Sequence, residues 1–369
     1  MTAVIKYPHL DQLRSAIHNV KHRATYRGRD ADGQPMFDPL AKIPTIKYRG
    51  TTKLHGCNSS IVYDVLTSEL TYQSRERILS LTQDNHGFML AQLKNEDWWL
   101  ATFDHLADIC ETSMDPDERL LKKIVIYGEW AGGSIQSGVA ISKLEKAMYI
   151  FGIKLLYHDA ETIDEDGEID DVVWVDMADY KWVKNEELRI FNIMDYKTWE
   201  IDIDFARPDI AQAQMVKWVE EVEAECPVGK AFGVSGTGEG IVWTPVEDGW
   251  RTSKLMFKTK GEKHQTSKVR TLAAVDVEAM NTLHEFVDAS VTENRLEQGL
   301  QNLVREQLKP FDMTSMGDFI RWVFNDVIRE EQDTIVASGL DPKKLGGPIA
   351  NKARPWYINK LNQMALADA

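Results

Sequence analysis

The chain reads as an α+β protein of two domains, a strand-rich one over residues 1–268 and a helical one over 269–369. Three observations carry this. Short runs of β-forming residues recur through the first two-thirds of the sequence. In the last hundred residues Met316, Phe319, Ile320, Val323, Phe324, Val327 and Ile328 trace one helical face over more than three turns. The character changes near residues 265–272, with no internal repeat on either side. A length of 369 residues accommodates two domains of ordinary size.

In order, Leu10, Leu13 and Ile17 suggest a short N-terminal helix, followed by a polar connector from Arg27 to Pro39. Residues 44–82 read as strands, because Ser59, Ile61 and Tyr63 alternate with Ser60, Val62 and Asp64. Trp99, Phe103, Leu106 and Cys110 recur at helical spacing and predict a helix over Glu96–Cys110. Ile124–Gly128 and Met148–Ile153 are short apolar runs of buried-strand type. Asp164–Asp171 has the acidity of a calcium loop, but Val173 falls at the twelfth position, where a Glu is needed. An acidic hairpin tip is the better reading. A surface helix over Asp209–Glu225 is expected to stop near Pro227, and Ile241–Trp243 and Leu255–Phe257 return to strand. Ser315 with Asp318, and Ser290 with Glu293, look like helix starts.

Composition narrows the class. Hydrophobic and charged fractions of 43% and 27% are those of a globular protein, and no apolar run approaches the roughly 20 residues of a membrane helix. Met1–Pro8 has no signal-peptide core. Cys57, Cys110 and Cys226 are too few and too scattered for a disulfide framework or a zinc site, so a reducing cytoplasm is the expected setting. A net charge of −15 argues against non-specific coating of nucleic acid. One basic stripe stands out: residues 251–270 hold seven Lys or Arg and a single Glu, a place where an anion is handled.

The candidate chemistry centres on Lys53-Leu54-His55-Gly56, a Gly-containing turn between two extended segments, from which a lysine projects into a cleft. Lysine is a nucleophile only when deprotonated, which requires burial or neighbouring positive charge to lower its usual pKa of about 10.4. Lys258 and Lys260 are candidates for that charge.

Five segments accompany one another in order: Lys53 with Gly56; Ser74-Arg75-Glu76-Arg77; Gly128-Glu129-Trp130-Ala131-Gly132 followed by Ile135-Gln136; Tyr149-Ile150-Phe151-Gly152; and Glu239-Gly240-Ile241-Val242 with Phe257-Lys258-Thr259-Lys260. Together they resemble the motifs of the covalent nucleotidyltransferases, the superfamily of ATP-dependent ligases and mRNA capping enzymes. The histidine of the Lys-Leu-His-Gly turn and the Ile-Gln pair bring them nearest to the RNA ligase 2 family, over residues 45–265. Cys57 stands where that family usually has Thr, and Gly152 where Asp commonly follows the stacking Phe.

The resemblance implies antiparallel sheets with flanking helices, and an ATP-dependent RNA ligase of the RNA-repair type. Such an enzyme joins 5′-phosphate to 3′-hydroxyl ends through a lysyl-AMP on Lys53. By the same resemblance Lys260 contacts the α-phosphate, Lys258 stands beside it, Glu129 holds the ribose and Phe151 stacks on adenine. His55 and Gly56 belong to the nucleotide turn, Glu239 sits by the metal, Arg75 binds ribose or the 5′-phosphate, and Asn58 and Gln136 meet the nucleic acid. Mg²⁺, with Mn²⁺ as a substitute, is the expected metal, held by few carboxylates and several waters. The partner is RNA, as free ends or a nicked duplex, with no membrane and a monomeric protein. A viral or phage source fits the resemblance. The alternatives are a DNA ligase, a capping-type guanylyltransferase, or an inactive nucleic-acid-binding module. In the last hundred residues Lys343-Lys344 and Lys352 with Arg354 are candidates for phosphate contact.

Overall fold

A computed structural model of the chain describes residues 3–112, 120–133, 135–157, 172–264 and 283–367. Helix α1 (Leu13–Thr25) turns Leu13, Ala16 and Val20 inward. The expected connector after it is a small antiparallel hairpin of β1 (Tyr26–Arg29) and β2 (Pro35–Phe37). Its tip forms because the Asp30 carboxylate accepts the amides of Asp32 and Gln34, while Gly33 takes a positive φ of 77°.

Strands β3 (Thr45–Lys53), β4 (Cys57–Asp64) and β5 (Glu69–Ser74) follow, then helices α2 (Phe88–Leu93) and α3 (Glu96–Thr112). Next come the long strands β6 (Leu121–Ala131) and β7 (Ala147–Tyr157), then β8 (Val172–Trp174), β9 (Ile190–Asn192) and β10 (Thr198–Asp204). Helix α4 (Asp209–Ala224) ends before Pro227, which opens a further short helix, α5 (Pro227–Ala231), because a proline at the first position loses no hydrogen bond. After β11 (Gly240–Pro245), Ser253–Leu255 is a 3₁₀ turn, so strand β12 (Phe257–Lys260) starts two residues later than the apolar run suggests.

The helical part comprises α6 (Leu283–Ser290), α7 (Glu293–Gln301), α8 (Met316–Glu330), α9 (Gln332–Ala337) and α10 (Pro342–Ala367). Two caps differ from expectation. Thr292, not Ser290, caps α7 by accepting from the Arg295 amide, and Asp312 accepts from Thr314 and Ser315 ahead of α8. Thr292 stands directly before α7, and Asp312 directly before the 3₁₀ turn Met313–Ser315 that leads into α8, so these side chains reach the bare amides.

The chain forms two compact units: 1–10, 46–202 and 217–256 in the first, and 11–45, 203–216 and 257–369 in the second. The boundary expected between 268 and 269, and the acidic hairpin 164–171, lie outside the described residues.

The first unit is built on a six-stranded sheet ordered β5-β4-β6-β7-β8, with β9 parallel to β7. Its β4–β5, β4–β6, β6–β7 and β7–β8 pairs are antiparallel. Both faces of this sheet are covered, which is why its long strands β6 and β7 read as apolar runs without alternation. Ile61, Tyr63, Ile124 and Ile126 face a large core completed by Trp99, Phe103, Leu106 and Cys110 of α3. Val62, Val125 and Tyr127 face a smaller one closed by Ile5, Tyr7 and Trp174. In a second sheet β3 lies between β10 and β11, antiparallel to β11, with Gly240 opposite Lys53.

In the second unit α8 and α10 share a core: Phe319, Val323 and Val327 with Leu345, Ile349, Ala353 and Tyr357. Beside that core lies a buried ionic network. Arg295 is fully enclosed and reaches Asp326 at 3.0 Å, Glu330 at 2.9 Å and Glu331 at 3.4 Å. Arg14 meets Glu331 at 2.8 Å and Thr334 at 2.8 Å. Among the described residues no helix is long and apolar enough to cross a membrane.

Candidate active site

The turn between β3 and β4 carries Lys53, His55 and Gly56, and register decides what surrounds it. Pairing of Gly240 with Lys53 brings Glu239 beside the lysine. Pairing of Asn58 with Glu129, and of Cys57 with Trp130, brings β6 beside the turn. Three carriers of charge therefore meet although they are up to 186 residues apart in sequence.

Lys53 Nζ donates to Glu239 Oε2 at 2.7 Å, and His55 Nδ1 lies 3.5 Å from the same oxygen. Glu239 is 2% exposed, whereas the Lys53 side chain is 21% exposed, so the pair is buried from the carboxylate side and open from the lysine side. Glu129 Oε1 accepts the Gly56 amide at 2.8 Å, and Gln136 Nε2 donates to the Gly56 carbonyl at 3.4 Å. Burial pushes the Glu129 carboxyl above the usual range; the Lys53 charge and the Gly56 amide oppose that shift, and the Glu239 charge adds to it. Gly56 is required by space: a Cβ there would stand 2.5 Å from the Trp130 carbonyl oxygen and 2.8 Å from the Ala131 Cβ.

Of the residues expected from sequence, Lys53, His55, Gly56, Glu129, Gln136 and Glu239 are thus in one place. Asn58 is opposite Glu129 on β4. Arg75 follows β5 and meets His9 Nδ1 at 3.5 Å. Phe151 is half-buried on β7, edge-on to Tyr7 with ring centroids 4.9 Å apart. A Cβ on Gly152 would stand 3.4 Å from Tyr7 and 3.6 Å from Trp174, so aromatic rings line the spot where the family commonly has Asp. Cys57 is a buried core residue. Lys258 and Lys260 lie on β12 in the second unit, where Lys258 Nζ donates to Glu330 Oε1 at 2.7 Å. Burial lowers the Lys258 pKa, and the Glu330 charge works against that effect.

Sequence reasoning missed Tyr7 and His9, which contact two expected site residues, and Glu330, which holds a third. Tyr7 and His9 sit in a short N-terminal stretch without periodicity, and Glu330 is 72 residues from its partner. Neither position carries a local signal.

Among the described residues no group of three or more His, Cys, Asp or Glu is placed to hold a metal. One or two carboxylates with waters suffice for Mg²⁺, and the neighbouring Glu239 and Glu129 are a donor set of that kind.

Residues 46–260 match the family model described as RNA ligase. The chain belongs to the RNA ligase family. No curated protein matches it. Among solved structures, this RNA ligase family member is similar to Naegleria gruberi RNA ligase with PPi, at 12% identity, 71% of this chain, 57% of that chain and a TM-score of 0.40. It is also similar to two mutants of that enzyme. The one with ATP and Mn gives 13% identity, 71% and 58% coverage and a TM-score of 0.41. The one with AMP and Mn gives 13%, 71%, 57% and 0.41. The chain spans less than two-thirds of the length of these proteins.

Proposed function

We propose that the protein is an ATP-dependent RNA ligase of the RNA ligase 2 type, which joins 5′-phosphate to 3′-hydroxyl ends. The observation that carries this reading is the convergence of Lys53, Glu239 and Glu129 on the Gly56 turn. A lysine paired with a buried carboxylate, open on its other side and next to a bare-backbone turn, is suited to attack on a phosphate laid against it.

The Lys53 amine attacks the α-phosphorus of ATP; an N–P bond forms, the P–O bond to pyrophosphate breaks, and pyrophosphate leaves. Attack requires the free amine; Glu239, within hydrogen-bond reach, holds the lysine in line, and the amine's proton leaves to solvent on the lysine's open side. Glu129 fixes the turn through the Gly56 amide and offers its second oxygen to the ribose. Gln136 holds the other side of Gly56. Lys258 and Lys260 supply positive charge to the phosphates, Phe151 stacks on the adenine, and Arg75 and Asn58 meet the strand ends. Glu239, with waters, would hold Mg²⁺, which would supply neutralisation of phosphate charge. The exposed face of α10, with Lys343, Lys344 and Arg354, contacts the RNA backbone. The protein acts as a monomer.

Purified protein given labelled ATP and Mg²⁺ is expected to form an acid-labile, alkali-stable, hydroxylamine-sensitive adduct, and Lys53→Ala is expected to lose it. A folded wild type without adduct overturns the reading. Labelling by GTP in place of ATP indicates a capping-type guanylyltransferase, and sealing of DNA nicks alone indicates a DNA ligase.

A further inference from the structure

We propose that the aromatic ladder where α1 meets the β1–β2 hairpin, both within the second unit, is a binding surface for the unpaired bases of single-stranded RNA. The inference rests on the functional reading above, since a ligase that joins free RNA ends meets bases without pairing partners.

The ladder follows from spacing. His18, His22 and Tyr26 recur every four residues, which lines them up along one stripe of α1 and its exit. The His18 and His22 rings are stacked with centroids 6.3 Å apart, and the His22 and Tyr26 rings at 5.1 Å with planes 17° apart. Phe37 pairs with Tyr26 across the hairpin, its ring 5.8 Å from Tyr26 and edge-on to His22 at 5.4 Å. Cross-strand pairing explains why Tyr26 and Phe37 touch, but not why the ladder stays open to solvent. His18 and His22 are exposed, Phe37 is 48% exposed, and no residue of β2 is buried. Rings that served packing alone would face inward, as Phe319 and Tyr357 do between α8 and α10.

Charge selects the occupant. The chain as a whole carries a net charge of −15, yet Lys21 and Arg23 flank His22 in sequence, and Arg27 and Arg29 follow Tyr26. All four are exposed. Of the three aspartates between residues 30 and 38, Asp30 closes the hairpin tip, and Asp38 accepts from the Leu40 amide and pairs with Arg27. Open rings interleaved with cations suit a polyanion that carries flat faces, and every unpaired base offers such a face. Duplex RNA keeps those faces inside its own stack.

The test uses the full-length protein and a fluorescent oligouridylate of about 12 nucleotides, alone or annealed to its complement, with binding read by anisotropy. Melting curves and ATP adduct formation are measured for every variant. Phe37→Leu combined with His22→Ala keeps apolar bulk on the hairpin and removes two rings. It is expected to weaken single-strand binding about tenfold and duplex binding by less than about twofold. Phe37→Trp, which keeps a ring, is expected to bind the single strand as wild type does. Lys21→Gln with Arg23→Gln is expected to lower the slope of log affinity against log salt by roughly 1.4. Adduct formation stays within about twofold of wild type throughout.

Folded ring variants that bind the single strand as wild type does, or that lose duplex binding equally, overturn the inference while the ligase reading stands. So does a dimeric wild type whose ring variants are monomeric with unchanged RNA affinity, which assigns the ladder to a second copy of the chain. A wild type that forms no adduct removes the ligase reading itself, so the two failures are distinguishable.

Discussion

Two clusters of charge, one in each compact unit, both set basic side chains against carboxylates and differ in closure. Around Lys53 one ammonium faces two carboxylates, Glu239 and Glu129, and the lysine keeps an open side. In the second unit Arg14, Arg295 and Lys258 face Asp326, Glu330 and Glu331, and these six groups engage one another below the surface. Taking charges out of water is costly unless partners replace the water. The second cluster meets that condition with its own residues; the first leaves an excess of negative charge beside a half-open lysine, an arrangement that stabilises the fold less and suits a cation or a reacting group more.

That contrast makes quantitative predictions. Arg295→Met leaves three carboxylates enclosed with two cations and is expected to cost about 3–5 kcal/mol by chemical denaturation, the range for breaking a buried pair. A loss under about 1 kcal/mol would mean that the closed cluster is not structural. Glu239→Gln is expected to do the reverse: adduct formation falls by roughly 10²–10³, the scale for removing one preorganised polar group, while the melting temperature changes little. Comparable losses in both quantities would erase the distinction between the clusters.

Gly56→Ala places a Cβ against the Trp130 carbonyl, and the cost is expected at about 1–3 kcal/mol in stability together with a weaker adduct. The smallest effect concerns Glu129. Its folded pKa is raised, so the folded protein binds that proton more readily than the unfolded chain does. Ionisation therefore weakens the fold as pH rises through the carboxylate range, and the penalty is complete above the folded value. Glu129→Gln is expected to raise Tm at about pH 8, with the gain shrinking as pH falls through the carboxylate range. A gain independent of pH would assign the effect to packing instead.

The first cluster was legible in the sequence and the second, apart from Lys258, was not, for a physical reason. Lys53, His55 and Gly56 are adjacent, and Glu129, Gln136 and Glu239 sit in short motifs whose order carries information. The long strands β6 and β7 and helix α3 were legible because periodicity and β-forming runs are local signals. The hairpin of β1 and β2 was not, because its polar strands show no alternation and its turn depends on how Asp30 folds back. Glu330 looks like any acidic residue at the end of an amphipathic helix; only the fold supplies Lys258 and Arg295. Pro227 reads as a stop and acts as a start, since a proline excludes the preceding turn but not the next one.

Arg14 finds Glu331 and Thr334 across 317 and 320 positions of chain. On a ribosome, which makes the polypeptide from its N-terminal side onward, this arginine waits for 317 further positions before Glu331 exists. The Lys53 turn, completed by Glu239, can assemble well before that moment. Synthesis in one direction thus orders the two clusters in time, with the lysine pocket available first and the ionic lock that restrains Lys258 closing after it.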